Sequence, residues 1–211
     1  MARDAAPLTV ERRLWREGCA LVCGIDEVGR GPLAGPVVAA AVVLPEPSGK
    51  RFLPGVTDSK LLSESERFDL YLGILQTALF VGVCRVEPWD IDRENILKSS
   101  LRAMRGALAR LPEKPGHVLV DGNVRIETDL PQTTIVKGDR RSRTVAAASI
   151  VAKVTRDAIM RKLHHRVPEY GFAQNKGYAT AEHVQAILAR GPSPFHRRSF
   201  LSFYEAPRLP F

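Results

Sequence analysis

The sequence predicts an α/β or α+β layer fold with a helical extension at its C-terminal end. Three observations carry this reading. Short apolar runs bounded by Gly, Pro and Asp come early in the chain. Longer segments with helical spacing come late. In between, the two kinds interleave, as packed layers of sheet and helix require.

The elements follow in order. Residues 21–25 are apolar and end at Asp26, which reads as a buried strand. Residues 37–44, rich in Val and Ala and flanked by prolines, read as a second strand. Gly29, Gly31, Pro32, Gly35 and Pro36 force a turn between them. Ser63-Glu-Ser-Glu66 matches a capping box, and Phe68, Leu72, Leu75 and Leu79 then fall on one face of the helix it opens. Residues 80–86 read as a strand, and 88–108 as one helix with Pro at its start. Short strands are expected at 118–120, ending at Asp121-Gly122, and at 133–136. The longest helix is expected over 143–163, and a last one over 181–190, stopped by Gly191-Pro192.

Composition narrows the function classes. With 211 residues, 45% of them hydrophobic, the chain suits one domain of moderate size with a real core. No apolar run approaches the roughly 18 residues that cross a bilayer. Residues 1–16 mix Arg, Asp and Glu and lack the apolar centre of a secretion signal. Three cysteines (Cys19, Cys23 and Cys84) are too few and too odd for a disulfide scaffold, so a cytoplasmic location is expected. Cys19 and Cys23 read as buried thiols rather than zinc ligands. The net charge is +8, but it is uneven. Residues 137–198 hold 13 Lys or Arg against 4 Asp or Glu, and the remainder nearly balances at 18 against 19. A basic C-terminal third points to a polyanionic partner such as nucleic acid, or simply to a basic soluble surface.

Four acids stand out by position. Asp26 and Glu27 follow one buried strand, and Asp121 follows another. Strand ends facing one crevice are where open α/β sheets place ligands. Asp157 lies in the long helix beside the stripe of Ala147, Ile150, Val151, Val154 and Ala158, with Lys153 and Arg161 four residues either side. Phosphodiester cleavage needs an activated water and a stabilised leaving oxygen, and two hard cations held by carboxylates supply both. Plain structural readings stand beside these: Asp121-Gly122 as an ordinary turn, and Asp157 as half of an ion pair. Adjacent acids between a buried strand and a glycine turn are harder to explain by folding alone.

Two other classes compete with this reading. Gly29-Arg-Gly31-Pro-Leu-Ala34 formally fits a dinucleotide-binding pattern, but Pro36 and a strand follow it instead of a helix. A non-catalytic, basic nucleic-acid-binding module explains the charge and leaves the acids without a purpose.

The stretch Gly24-Ile-Asp-Glu-Val-Gly-Arg-Gly-Pro-Leu-Ala-Gly-Pro-Val-Val-Ala39 closely resembles the signature of bacterial ribonuclease HII. Further matches follow in the family's order: Asp58-Ser-Lys60, Val120-Asp-Gly122, Lys137-Gly-Asp139, the run from Ala146 to Asp157, Lys176-Gly-Tyr178, and Ser193-Pro-Phe-His-Arg-Arg-Ser-Phe200. The resemblance implies a ribonuclease H-like mixed five-stranded sheet flanked by helices. On it, residues 19–165 form the catalytic core, 1–18 an N-terminal segment, and 166–211 a helical extension and tail. It implies two divalent cations, Mn²⁺ or Mg²⁺, held by Asp26, Glu27, Asp121 and Asp157. The implied substrates are RNA–DNA hybrids and DNA duplexes containing ribonucleotides, cut on the 5′ side of the ribonucleotide to leave 3′-hydroxyl and 5′-phosphate ends. Gly29, Arg30 and Gly31 resemble the element that reads the RNA-to-DNA junction, and Tyr170 the tyrosine that stacks on the following deoxyribose, with core packing as its alternative. Lys60, Arg197 and Arg198 are expected phosphate contacts. Arg140, Arg141 and Arg143 make one loop unusually basic, and Asn175 stands where the family often has His. The tail 205–211 is read as a loose end or a clamp-binding peptide, and a monomer is expected.

Overall fold

A computed structural model describes residues 4–47 and 52–205. Residues 206–211, most of the tail read as a loose end or a clamp-binding peptide, lie outside the described residues. Among the described residues, five strands form one mixed sheet: β1 (Val22–Val28), β2 (Val37–Val43), β3 (Phe80–Val86), β4 (His117–Asp121) and β5 (Gln132–Ile135), in the order β3-β2-β1-β4-β5. The first three are antiparallel neighbours, and β1, β4 and β5 run parallel. Helices α1 (Thr9–Arg16), α2 (Glu64–Thr77), α3 (Pro88–Glu94), α4 (Ile96–Leu108) and α6 (Arg143–Arg166) flank the sheet, with a single turn, α5 (Gly138–Arg141), before the last of these. Beyond α6 come α7 (Phe172–Asn175), α8 (Ala181–Arg190) and α9 (Ser202–Glu205). No described helix is long and apolar enough to cross a membrane.

Strand alternation divides the core. On β2, Val37, Ala39, Ala41 and Val43 pack toward α4, while Ala40 and Val42 pack toward α6 and α2. Both faces are covered, so every residue of β2 is buried. The small residues bring helices close. A Cβ on Gly24 would lie 2.3 Å from the Thr144 carbonyl carbon, so only glycine lets α6 sit against β1 here. The start of α6 is clamped by Glu11 of α1, whose buried carboxylate accepts from Ser142 Oγ at 2.7 Å and from Thr144 N–H at 2.9 Å.

Three expectations are corrected. The helix expected over 88–108 breaks at Asn95, whose φ is +74° and whose side chain accepts from Lys98 N–H to start α4 afresh. The stripe Phe68, Leu72, Leu75 and Leu79 on α2 is exposed; the helix buries Arg67 and Ile74 and packs Leu70 and Tyr71 inward instead. Helix α1 was not expected, because its Arg-rich face masked a short apolar one built from Leu14 and Trp15. The capping box stands as read, with Ser63 and Glu66 bonded reciprocally.

Candidate active site

Ile25 of β1 lies opposite Val120 of β4 in the parallel ladder. The next residue on each strand is an acid, so Asp26 and Asp121 emerge side by side, and Glu27 follows Asp26. Oxygens of these three carboxylates all lie within 4.8 Å of one another. They line a cleft of about 270 Å³ together with Gly29, Arg30, Gly31, Ser59, Lys60, Asp139, Ser149, Lys153 and Tyr178.

Electrostatics shows the strain of that grouping. Burial raises the Asp26 carboxyl well above the usual carboxylate range, and the charges of Glu27 and Asp121 raise it further; bonds from Ser149 and the Glu27 N–H oppose this. Burial also raises Glu27, with Arg30 opposing at 3.3 Å. Asp139 is raised to about 6, chiefly by burial and then by Asp58 and Asp121. Asp121 is oriented by the Gly138 N–H, which donates to its Oδ1 at 2.6 Å. A cluster of hard oxygen donors that raise one another's proton affinity suits a small divalent cation, which supplies the missing positive charge.

Of the four acids expected, the structure brings together three. Asp157 lies elsewhere: its Oδ1 accepts from Lys153 Nζ at 2.7 Å, its Oδ2 is 3.8 Å from Arg67, and it lines a separate cleft with Glu64, Phe68 and Arg161. The ion-pair reading was the one its surroundings favour. The acid that does reach the cleft is Asp139. A signal was available, since Asp139 follows the strand parallel to the one ending at Asp121, and the C-terminal ends of parallel neighbours share one edge.

Tyr170 is likewise displaced. It is 5% exposed, stacks on Phe172, meets His196 edge-on, and donates its hydroxyl to the Gly191 carbonyl at 2.7 Å. Tyr178, 44% exposed, is the tyrosine at the cleft. Arg197 is 0% exposed, turned inward and away from the surface where a phosphate would sit. Its guanidinium donates to the carbonyls of Gly29 (2.6 Å), Arg30 (3.0 Å) and Gly35 (2.8 and 3.0 Å). Arg198 is exposed, and its backbone N–H donates to Asp92. Lys60, Gly29, Arg30 and Gly31 are at the cleft as expected.

The basic loop and Asn175 also find structural uses. Arg140 pairs with Asp58 at 2.8 Å, tying Asp58-Ser-Lys60 to the turn that carries Asp139. Arg143 donates to the carbonyls of Ala6 and Phe52. Asn175 bridges the Tyr170 carbonyl and the Gly177 N–H. The glycine turn is pressed against Arg156: Gly29 has a φ of +96°, and a Cβ there would lie 2.3 Å from Arg156 Nε. Arg156 itself donates to Pro36, Ala34 and Lys176 carbonyls.

The chain is similar to known proteins over most of its length. The family model described as Ribonuclease HII matches residues 23–203. A Ribonuclease HII from Syntrophobacter fumaroxidans is 51% identical over 193 residues, 92% of this chain and 82% of that protein. One from Geobacter sulfurreducens is 51% identical over 190 residues, 90% of this chain and 86% of that protein. Among solved structures, ribonuclease H2 from Pyrococcus horikoshii OT3 superposes with a TM-score of 0.73 at 29% identity, over 88% of this chain and 97% of that one. The ribonuclease HII of a PCNA complex from Archaeoglobus fulgidus gives 0.70 at 28% identity, over 84% and 94%.

Proposed function

This chain belongs to the ribonuclease HII family and is a metal-dependent ribonuclease, and from that premise we propose that it hydrolyses the phosphodiester on the 5′ side of a ribonucleotide. The substrate is a ribonucleotide embedded in duplex DNA or within an RNA–DNA hybrid, and the products carry 3′-hydroxyl and 5′-phosphate ends. One observation carries the reading: three carboxylates within 4.8 Å of one another open onto the same cleft as the Gly29–Gly31 turn. Family membership removes the alternative of a non-catalytic binding module.

Asp26, Glu27, Asp121 and Asp139 would hold the cations, in place of the set that included Asp157. Two Mg²⁺ or Mn²⁺ ions bound there would activate the attacking water and stabilise the leaving oxygen. The chain's own residues do the rest. Asp26, between two other acids, sets the charge of the cleft. The Gly29–Gly31 turn brings backbone groups close to a sugar, and the 2′-hydroxyl is the group that distinguishes RNA from DNA. Tyr178, rather than Tyr170, presents a ring to the deoxyribose beyond the junction. Lys60 and Arg30 supply positive charge to the flanking phosphates. A monomer would suffice, since one chain lines the whole cleft. The A. fulgidus complex supports a sliding clamp as a partner; with the tail 205–211 as the contact, deleting 206–211 should abolish co-elution with the clamp and spare cleavage.

The decisive experiment uses a DNA duplex with one ribonucleotide, incubated with Mg²⁺, with Mn²⁺ and with chelator. A metal-dependent cut on the 5′ side is expected. Cleavage on the 3′ side, or undiminished cleavage in chelator, overturns the proposal.

A further inference from the structure

Behind the cleft wall two buried imidazoles meet, with His183 Nε2 3.0 Å from His196 Nε2. Their outer nitrogens fix the protons. The Ser193 N–H donates to His196 Nδ1 at 2.9 Å, so that nitrogen is an acceptor and Nε2 carries the hydrogen. His183 Nδ1 lies 2.7 Å from the Tyr178 carbonyl, which can only accept, so Nδ1 carries the hydrogen and Nε2 is free to accept. The three contacts therefore have one consistent polarity: Ser193 to His196, His196 to His183, His183 to Tyr178. A proton added to His183 Nε2 would set two N–H groups face to face, and one added to His196 Nδ1 would face the Ser193 N–H. Burial lowers both imidazoles, His196 to about 4, so the pair is neutral at neutral pH.

Each end of this chain of bonds reaches one side of the cleft. At one end is Tyr178, which lines it. At the other, His196 bridges Ala34, and the adjacent Arg197 holds the Gly29, Arg30 and Gly35 carbonyls. Leu33 N–H also donates to the Gly177 carbonyl at 2.8 Å, so the two sides already touch at the backbone. That contact ends at Gly177; beyond it the Tyr178 backbone bonds locally, to Asn175 and Thr180, and His183 is what ties its carbonyl across to His196.

We propose that the His183–His196 pair is a positioning device, which fixes Tyr178 at a set spacing from the Gly29–Gly31 turn and thereby sets selectivity for a single embedded ribonucleotide. The selectivity part rests on the reading of Tyr178 given above. Neither histidine touches substrate; both act through Tyr178.

The test compares His196→Phe, which keeps ring packing against Tyr170 and Phe172 and removes both nitrogens, with His196→Gln, which keeps a donor at the ε position. His183→Phe, in a site already edge-on to Phe172, serves as the second variant if His196→Phe fails to fold. Two readouts are taken on the full chain: the NMR ring resonances of Tyr178, and kcat/KM on a duplex with one ribonucleotide against a long RNA–DNA hybrid. In His196→Phe the Tyr178 resonances should move and cleavage at the single ribonucleotide should fall about tenfold, with hybrid cleavage changing less than about threefold, as for one buried hydrogen bond lost. His196→Gln should stay within about threefold on both substrates. Unmoved Tyr178 resonances overturn the proposal, as do equal losses on both substrates or a Gln variant as impaired as Phe. Tyr178→Ala is run alongside. If it leaves substrate preference intact, the sugar contact assigned to Tyr178 falls, while the resonance shift still decides whether the histidines position it.

Discussion

Lys153 Nζ donates to Asp157 Oδ1 at 2.7 Å across one turn of α6, and the bonded pair joins two neighbouring clefts: Lys153 lines the carboxylate cleft, and Asp157 lines the next one with Arg67. Asp157 is tied to the carboxylate cleft through that lysine. Asp139 faces the cleft directly.

Asp139→Asn and Asp157→Asn should separate cleanly. The first is expected to lower cleavage more than about a hundredfold, as for loss of a group acting in the transition state. The second should lower it less than about tenfold while costing about 1–3 kcal/mol of stability, because the half-buried Lys153 loses its charged partner. Single-turnover cleavage and urea denaturation of both variants check this; the reverse ranking in activity would restore Asp157 to the metal-binding set.

Asp26→Asn should nearly abolish cleavage, leave duplex binding intact and raise the Tm of metal-free protein by a few degrees, about 1 kcal/mol relieved at the cluster. Calorimetry in chelator, with a cleavage assay and a binding titration, reads all three effects.

Metal-free protein should lose stability as pH rises. A carboxyl whose folded pKa exceeds its unfolded value binds protons better in the folded chain. Its contribution is most favourable at low pH and is lost as pH climbs through the folded value. For Asp139 that window runs from 3.8 to about 6, and Asp26 and Glu27 shift in the same direction. Asp58, lowered by its Lys60 N–H and Arg140 bonds, opposes this only at the acidic end. Denaturation midpoints measured in chelator should fall across the window, and saturating Mn²⁺ should flatten the slope.

Arg197→Ala should destabilise the fold by about 3 kcal/mol or more, since three carbonyl oxygens of the glycine turn lose a buried charged donor. Arg197→Lys should recover little, because an ammonium cannot reproduce the fork that reaches all three. Arg198→Ala, at an exposed position, should leave stability unchanged and reduce the salt slope of duplex binding by about 1. Urea midpoints and binding at several salt concentrations distinguish the two arginines.

Much of this was legible along the chain. Strands were readable where apolar runs met turn residues, as at 37–44 and 80–86, because local pattern and burial agree there. The capping box at Ser63 was readable because its bonds close within four residues. The α2 stripe misled for the complementary reason: helical spacing shows that Phe68, Leu72, Leu75 and Leu79 share a face and says nothing of which way the face turns. Asp26 and Glu27 were found because their strand and their turn are neighbours in sequence.

The sequence by itself determined the layered fold, the acidic strand ends and the family. It did so because hydrophobic period, turn chemistry and motif order are local properties. Only the tertiary structure decided which acid joins Asp26, Glu27 and Asp121, which tyrosine meets the cleft, and whether Arg197 faces phosphate or backbone. Asp139 and Asp157, Tyr178 and Tyr170, Arg198 and Arg197 are alike in type and close in sequence. What separates each pair is the direction of a side chain relative to partners on other elements, and that direction is fixed only when β1, β4, α6 and the segment after α8 pack together.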